Sequence, residues 1–295
     1  MYKILTKELL APGIYLFDVE APRVASSAKP GQFVIVRLDE KGERIPLTIC
    51  DYNPEAGSVT IVVQVIGCST LKMSKLEPGD ELEDFVGPLG MPSEMVHETP
   101  DALSAKKILF IAGGLGTAPV YPQVKWLHEQ GVAADVIIGA KTAELLIMVE
   151  AMKKVAGNVY IATDDGSEGF HGKVTECLQD LVDREGKQYD LAVIIGPMIM
   201  MKFASMLTLK LSIPTIVSLN TLMVDGTGMC GACRVTVGGQ TRFACVDGPE
   251  FDGALVDFDE ALRRQSMYKG FEGKKLYEER LALGIETCKC NEQHS

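Results

Sequence analysis

From Lys107 to about Asn220, short apolar runs alternate with helix-compatible stretches, and this rhythm restricts the fold more than any other feature of the chain. Ile108 to Ala112, Asp135 to Gly139, Val159 to Ala162, Leu191 to Ile195 and Thr215 to Leu219 are almost uniformly apolar. Strands covered on both faces of a parallel sheet read this way, and helices crossing between them make an α/β layer. Upstream the period changes to two: Gly13 to Glu20, Gln32 to Leu38 and Ser58 to Val65 are separated by turns such as Lys29-Pro30-Gly31 and Glu77-Pro78-Gly79-Asp80. Closely spaced strands without long helices between them predict a small antiparallel barrel, with one short helix over Ser69 to Leu76. After Asn220 the chain turns to glycine, cysteine and two short strands around Gly238-Gly239, then to a charged, helix-compatible tail from Asp257 to Gly284. The expected division is a β-barrel over 1–97, an α/β parallel-sheet nucleotide domain over 98–219, and a small cluster segment with a helical tail over 220–295.

Asp225-Gly226-Thr227-Gly228-Met229-Cys230-Gly231-Ala232-Cys233, followed after eleven residues by Cys245, is the most specific motif. A plant-type 2Fe-2S site uses C-x4-C-x2-C and a distant fourth cysteine, because a glycine-rich loop must wrap the cluster and aim backbone N–H groups at its sulfides. Cys230, Cys233 and Cys245 fill the last three positions, and Asp225 stands at the first. The ligand set would be one carboxylate and three thiolates, with Gly226, Gly228 and Gly231 supplying the backbone freedom for a tight wrap. A tetrahedral zinc on the same four residues is the competing reading, and unligated cysteines in a glycine-rich turn are the third.

Nucleotide signals are more diffuse. Ile108 to Pro119 is a buried strand, a glycine turn (Gly113-Gly114-Leu115-Gly116) and a helix start, the arrangement that places a phosphate at a helix N-terminus. Pro119 occupies the third glycine position of the dinucleotide fingerprint, and Lys141 stands where an acid would clamp the ribose. Two further strand-end loops, Thr163 to Ser167 and Gly196-Pro197-Met198, would gather along the same carboxyl edge.

Composition narrows the class. A chain of 295 residues with 46% hydrophobic and 23% charged residues is a folded protein of more than one domain. Its formal charge of -11 argues against nucleic acid or an anionic membrane as partner. Met1 to Leu10 reads as neither a signal nor a transit sequence, and no apolar run approaches the roughly 18 residues of a membrane span. Eight unevenly placed cysteines do not make a disulfide scaffold, which points to a reducing cytoplasm. Cys50, Cys68 and Cys177 read as inert core thiols.

A barrel, a nucleotide-binding α/β domain and a 2Fe-2S segment, in this order, resemble the ferredoxin-NADP reductase superfamily in its iron-sulfur branch. Within it, Val224 to Gly231 and Phe251-Asp252-Gly253 are similar to the small subunit of NADH-dependent ferredoxin:NADP oxidoreductases, which bifurcate electrons. The electron-transfer subunit of dihydroorotate dehydrogenase, with cysteine where Asp225 stands, is the alternative, and a zinc-binding adaptor without flavin is the alternative of another class. The resemblance spans essentially the whole chain and implies FAD, a 2Fe-2S cluster and NAD(H). Thr48 matches the flavin-facing hydroxyl, with Pro46 and Leu47 just before it. The family arginine falls at Ile45, and Arg44 lies one place early, a shift that reverses the side-chain face on a strand. Val62, Val63 and Gln64 match the neighbouring flavin strand, and Ser69 and Thr70 its phosphate contacts. Gly114, Gly116 and Thr117 match the nicotinamide nucleotide turn, which Asp164, Gly196, Pro197 and Met198 would complete. Asp164 and Asp165 would repel a 2′-phosphate and favour NADH, against the opposing charge of Lys141. The resemblance further implies no catalytic acid or base, a larger flavin and iron-sulfur partner subunit, and ferredoxin reached through that complex.

Overall fold

The computed structural model describes residues 1–283; the Cys288 and Cys290 tail, expected to be solvated, lies outside them. Seven strands form the first sheet: β1 (Tyr2–Ala11), β2 (Ile14–Glu20), β3 (Phe33–Arg37), β4 (Ile45–Asn53), β5 (Ser58–Gln64), β6 (Glu81–Leu82) and β7 (Asp84–Leu89). Their order is β6-β1-β2-β5-β4-β3-β7, with every pairing antiparallel. Only Glu83 separates β6 from β7, so one bent segment pairs with β1 at one end and β3 at the other. The sheet therefore nearly closes on itself, as the period-two alternation requires if one face is to be dry. Ile4, Phe17, Val34, Val36, Ile49, Ile61, Val63 and Phe85 fill its interior. Sealing a ring such as Phe17 or Phe85 contributes about 2 kcal/mol by the area it removes from water.

The expected parallel strands follow as β8 (Ile108–Gly113), β9 (Asp135–Ala140), β10 (Asn158–Thr163), β12 (Leu191–Ile195) and β13 (Thr215–Ser218), with a two-residue β11 (Phe170–His171) at one edge. The chain steps outward from β8 through β9 to β10, then returns to place β12 on the other side of β8. That reversal makes the β8/β12 boundary the topological switch point, where the helices Thr117–Glu129 and Met198–Lys210 begin. Each sheet face carries its own apolar layer, around Phe110, Val136 and Val193 on one side and Leu109, Ile137 and Ile194 on the other.

Beyond residue 220 the hairpin β14 (Arg234–Val237) and β15 (Gln240–Phe243) turns at Gly238-Gly239 as expected. A strand not anticipated from the sequence, β16 (Glu250–Asp252), then runs antiparallel to β13 and becomes the last strand of the α/β sheet. The helix Phe258–Gln265, capped by the Asp257 carboxylate, shares the apolar layer of Met201 and Ala204 through Phe258 and Ala261. The cluster segment is thus stitched into the nucleotide domain.

This stitching buries a carboxyl where the three parts of the chain meet. Gln123 of the nucleotide helix donates its side-chain N–H to Glu250 Oε1 at 2.8 Å. Glu250 Oε2, Gln123 Oε1 and Ser93 Oγ are sealed from solvent and have no other partner, although Glu250 as a residue keeps some exposed surface. Burial pushes the Glu250 carboxyl up to about 7, from an ordinary value of 4.5. The folded chain therefore holds a proton over a pH range in which the unfolded chain has released it, so stability falls as pH rises from 4.5 towards 7 and then levels. Glu250→Gln should raise stability at pH 8 by about 3 kcal/mol and change little near pH 4.5, read from urea midpoints across that range. Parallel pH profiles for the two proteins would contradict an enclosed, protonated Glu250.

Candidate functional site

The glycine turn after β8 lies hard against the end of β12. A side chain at Gly116 would run into the Ile195 carbonyl, and Cβ atoms at Gly113 and Gly196 would both meet Met200. The Gly113–Gly116 turn and the Gly196-Pro197 loop consequently sit side by side across the switch point. Thr117 is buried, and its hydroxyl donates to the Gly114 carbonyl at 3.0 Å, tying the turn to the helix start. Space is open where a Gly114 side chain would be. Gly114, Gly116, Thr117, Gly196 and Pro197 are brought together as expected, whereas the Met198 side chain is buried in the apolar layer behind them. Asp164 is exposed at the end of β10, with β9 between it and β8, roughly 10 Å away along the sheet edge.

On the barrel the expected flavin residues divide by face. Leu47 and Val63 pack with the barrel interior. Val62 and Cys50 point the other way, into a small apolar cluster with Leu115, Ala118 and Ile147 of the α/β domain. Strand alternation places Pro46, Thr48 and Gln64 on that same outer side. The outer barrel face and the nucleotide turn therefore confront each other, and Lys125 clamps the same junction through both Asp51 carboxylate oxygens at 2.8 and 2.9 Å. The short helix spans Cys68–Met73 rather than Ser69 to Leu76. Its Thr70 hydroxyl accepts the Ile66 and Gly67 amides, an N-capping role, while the Ser69 hydroxyl donates to Glu43 at 2.6 Å.

Arg44, just ahead of β4, reaches the cysteine loop. Its guanidinium donates to the carbonyls of Val224 at 3.0 Å and Asp225 at 3.5 Å and pairs with Asp84 at 3.4 Å.

The four expected ligands fall into two separate pairs, and no three of them are gathered within reach of one metal ion among the described residues. Cys233 Sγ and Cys245 Sγ are buried and 3.2 Å apart, enclosed by Phe33 and Ile35 of the barrel and Met223 and Ala244 of the segment itself. Burial pushes the Cys245 thiol up, while the Gly228 amide directed at its sulfur acts against this. Asp225 and Cys230 form the other pair: Asp225 accepts the Thr227 amide at 2.8 Å and the Cys230 amide at 2.7 Å. These two N–H groups hold its carboxyl below the usual carboxylate range. Gly226 is at φ +78, with Leu89 and Ile35 of the barrel 2.8 and 3.0 Å from where a Cβ would stand, so only glycine fits there without displacement. The donor types and the directed amides suit an iron-sulfur cluster, and the outer barrel face of Pro46, Thr48 and Gln64 lies on the side of the glycine turn, as a flavin stacked on a nicotinamide would need.

Comparison with known proteins places the chain in a family. The iron-sulfur cluster binding domain of dihydroorotate dehydrogenase B matches residues 220–257. An uncharacterised Clostridium beijerinckii protein from the adh 3′ region is 62% identical, covering 93% of this chain and 93% of its own length. The Thermotoga maritima homologue of the dihydroorotate dehydrogenase B (NAD(+)) electron transfer subunit is 46% identical over 94% of both chains. The chain belongs to this electron-transfer subunit family. A solved chain from the NADH-dependent reduced ferredoxin-NADP oxidoreductase, studied for flavin-based electron bifurcation, is 43% identical, with a TM-score of 0.87 over 95% of this chain and 98% of that one.

Within this family member, Glu250, Gln123 and the reach of Arg44 were not legible in sequence. Glu250 sits in a loop-like Gly-Pro-Glu-Phe run with no periodicity to mark it as buried. The six described cysteines are all free, and their settings differ sharply: Cys230 is exposed, Cys50 and Cys177 buried. Burial also pushes the Cys50 thiol up and the Cys177 thiol to about 11. Brief iodoacetamide treatment of the native protein with a chelator should label Cys230 at least about tenfold faster than Cys50 or Cys177, by peptide mass spectrometry. Equal labelling would contradict the packing described for the two core thiols.

Proposed function

We propose that the chain is the electron-transfer subunit of a flavin and iron-sulfur oxidoreductase of the NADH-dependent ferredoxin:NADP oxidoreductase type, passing electrons between NAD(H), FAD and a 2Fe-2S cluster towards a larger partner subunit. What supports this reading is that one barrel packs by Cys50 and Val62 against the nucleotide turn and by Phe33, Ile35 and Leu89 against the cysteine segment. When bound, a flavin converts the two-electron chemistry of a nicotinamide into single electrons, and a 2Fe-2S cluster carries them one at a time.

The chain's own residues supply the positioning. Thr48, Pro46, Val62 and Gln64 form the flavin wall, with backbone from Leu47 and Val63 and phosphate contacts from Ser69 and Thr70. Gly114, Gly116, Thr117, Gly196 and Pro197 hold the nicotinamide nucleotide against it, while Met198 supports the loop from behind. Each iron of a 2Fe-2S cluster has two bridging sulfides and needs two protein donors. Asp225 with Cys230, and Cys233 with Cys245, would be those pairs. Two pairs suit two bridged irons better than one tetrahedral zinc, and a carboxylate in the first position favours this reading over the dihydroorotate dehydrogenase alternative.

The cluster edge opens outward. Cys230 is exposed, Met229 is 89% exposed and Val224 is 45% exposed, an apolar rim over which a partner subunit can take single electrons and relay them to ferredoxin. No helix among the described residues is long and apolar enough to cross a membrane, and a cytoplasmic setting suits the free thiols. Asp164 at the sheet edge favours NADH over NADPH.

Protein purified without oxygen should carry about one FAD and about two irons per chain, and NADH should bleach the flavin and reduce the cluster with a lower KM than NADPH. One zinc per chain without flavin would overturn the assignment, and preference for NADPH would remove the role given to Asp164.

A further inference from the structure

Arg44 stands immediately before β4, the strand proposed to line the flavin, and its guanidinium bonds the backbone of the cysteine loop. Three contacts define its geometry. Nε donates to Val224 O at 3.0 Å, one terminal nitrogen reaches Asp225 O at 3.5 Å, and the other pairs with Asp84 Oδ2 at 3.4 Å. Asp84 is itself fixed by Arg37 at 2.6 Å, so the anchor of Arg44 is held from both sides. Immediately after the two accepting carbonyls the loop presses Gly226 against Ile35 and Leu89 of β3 and β7.

We propose that Arg44 is the positioning residue of the cluster loop, fixing the Val224-Asp225 backbone on the flavin barrel and so setting where the Asp225 carboxylate stands and the electrostatic field it stands in. The proposal rests on reading Asp225 as a cluster ligand. A guanidinium suits this task because its planar fork can span two successive carbonyls and a carboxylate at once, which an ammonium on a flexible stem cannot do. The pairing with Asp84 offsets part of its charge, and Arg37 and Glu83, 4.0 Å apart, complete the charged group around it. The position also joins two functions through covalent continuity: Arg44 is bonded to Ile45, and Pro46 and Thr48 follow on the flavin wall. A shift of the flavin strand is therefore transmitted to the first ligand, and the reverse.

Two consequences separate this role from general stability. Freed of Arg44, the 224–230 backbone should open more often than its surroundings. The cluster should also become harder to reduce, because reduction adds negative charge beside a cation that has been removed.

The test compares holoprotein carrying Arg44→Ala, Arg44→Lys or no substitution. Amide hydrogen exchange across residues 224–230 should quicken at least about tenfold in Arg44→Ala, with exchange in β4 unchanged. The midpoint potential from an electron paramagnetic resonance titration should fall in the same variant, while flavin content is retained. Arg44→Lys should keep most of the potential and still exchange faster, since it preserves charge without the fork. Loop exchange at the wild-type rate with an unchanged potential would overturn the proposal. So would loss of flavin with the loop undisturbed, which would make Arg44 a flavin contact. If Arg44→Ala cannot be purified, Asp84→Asn removes the anchor and should quicken the same loop segment; no change there would also overturn it. Absence of iron in the unsubstituted protein would instead sink the ligand reading, while the exchange comparison would still decide what Arg44 does.

Discussion

Everything in this molecule depends on a shared apolar contact between the barrel and the cysteine loop. Phe33 and Ile35 belong to β3, Leu89 to β7, and they close over Met223, Cys233, Ala244 and Cys245 from the other end of the chain. Two thiols would gain little from such burial by themselves. What they gain is a fixed and dry position, and a metal site needs ligands that are pre-placed and sheltered more than it needs strong packing. Because β3 and β7 belong to the barrel sheet, the loop cannot drift from the barrel without opening this core.

The nucleotide domain is held to that pair by different means. Leu115 of the glycine turn and Ala118 of the helix after it meet Cys50 and Val62 of the barrel, with Lys125 and Asp51 beside them. On the other side β16 adds itself to β13, and Glu250 is drawn into a polar pocket with Gln123 and Ser93. Electron transfer between bound groups falls off steeply with distance, so an arrangement that fastens each of three parts to the other two serves the function directly. A hinge between any two of them would defeat it. The buried carboxyl is a cost of that fastening, neutralised by a proton rather than by a cation.

Much of this was legible in the sequence for identifiable reasons. Uniform apolar runs marked β8, β9, β10, β12 and β13, because a strand covered on both faces tolerates little else. Alternation marked β2, β3 and β5, and Gly238-Gly239 marked the hairpin. The cysteine spacing was legible because ligands on one cluster must lie close in space and short loops force them close in sequence. The structure supplied what spacing cannot encode. Leu47 and Val63 are inside the barrel because alternation assigns every second residue of a strand to the core, which a family match by position does not resolve. β16 is three residues long and pairs with a strand more than thirty residues upstream, so neither period nor length announces it. Arg44 acts across 181 residues, a distance at which no local pattern operates.

Asp225, at the first position of the cysteine motif, is the proposed cluster donor whose chemistry is most distinctive. Electron paramagnetic resonance of the reduced protein, with an iron count, in unsubstituted, Asp225→Cys and Asp225→Ala forms tests this role most directly. Asp225→Cys should keep about two irons per chain with an altered spectrum and midpoint potential, because thiolate shares electron density more than carboxylate does. Asp225→Ala should lose iron or show a spectrum altered by a replacement ligand, with FAD retained in both. An Asp225→Ala protein with the full iron count and the unsubstituted spectrum and potential would contradict this role, leaving Asp225 as a residue that only accepts the Thr227 and Cys230 amides.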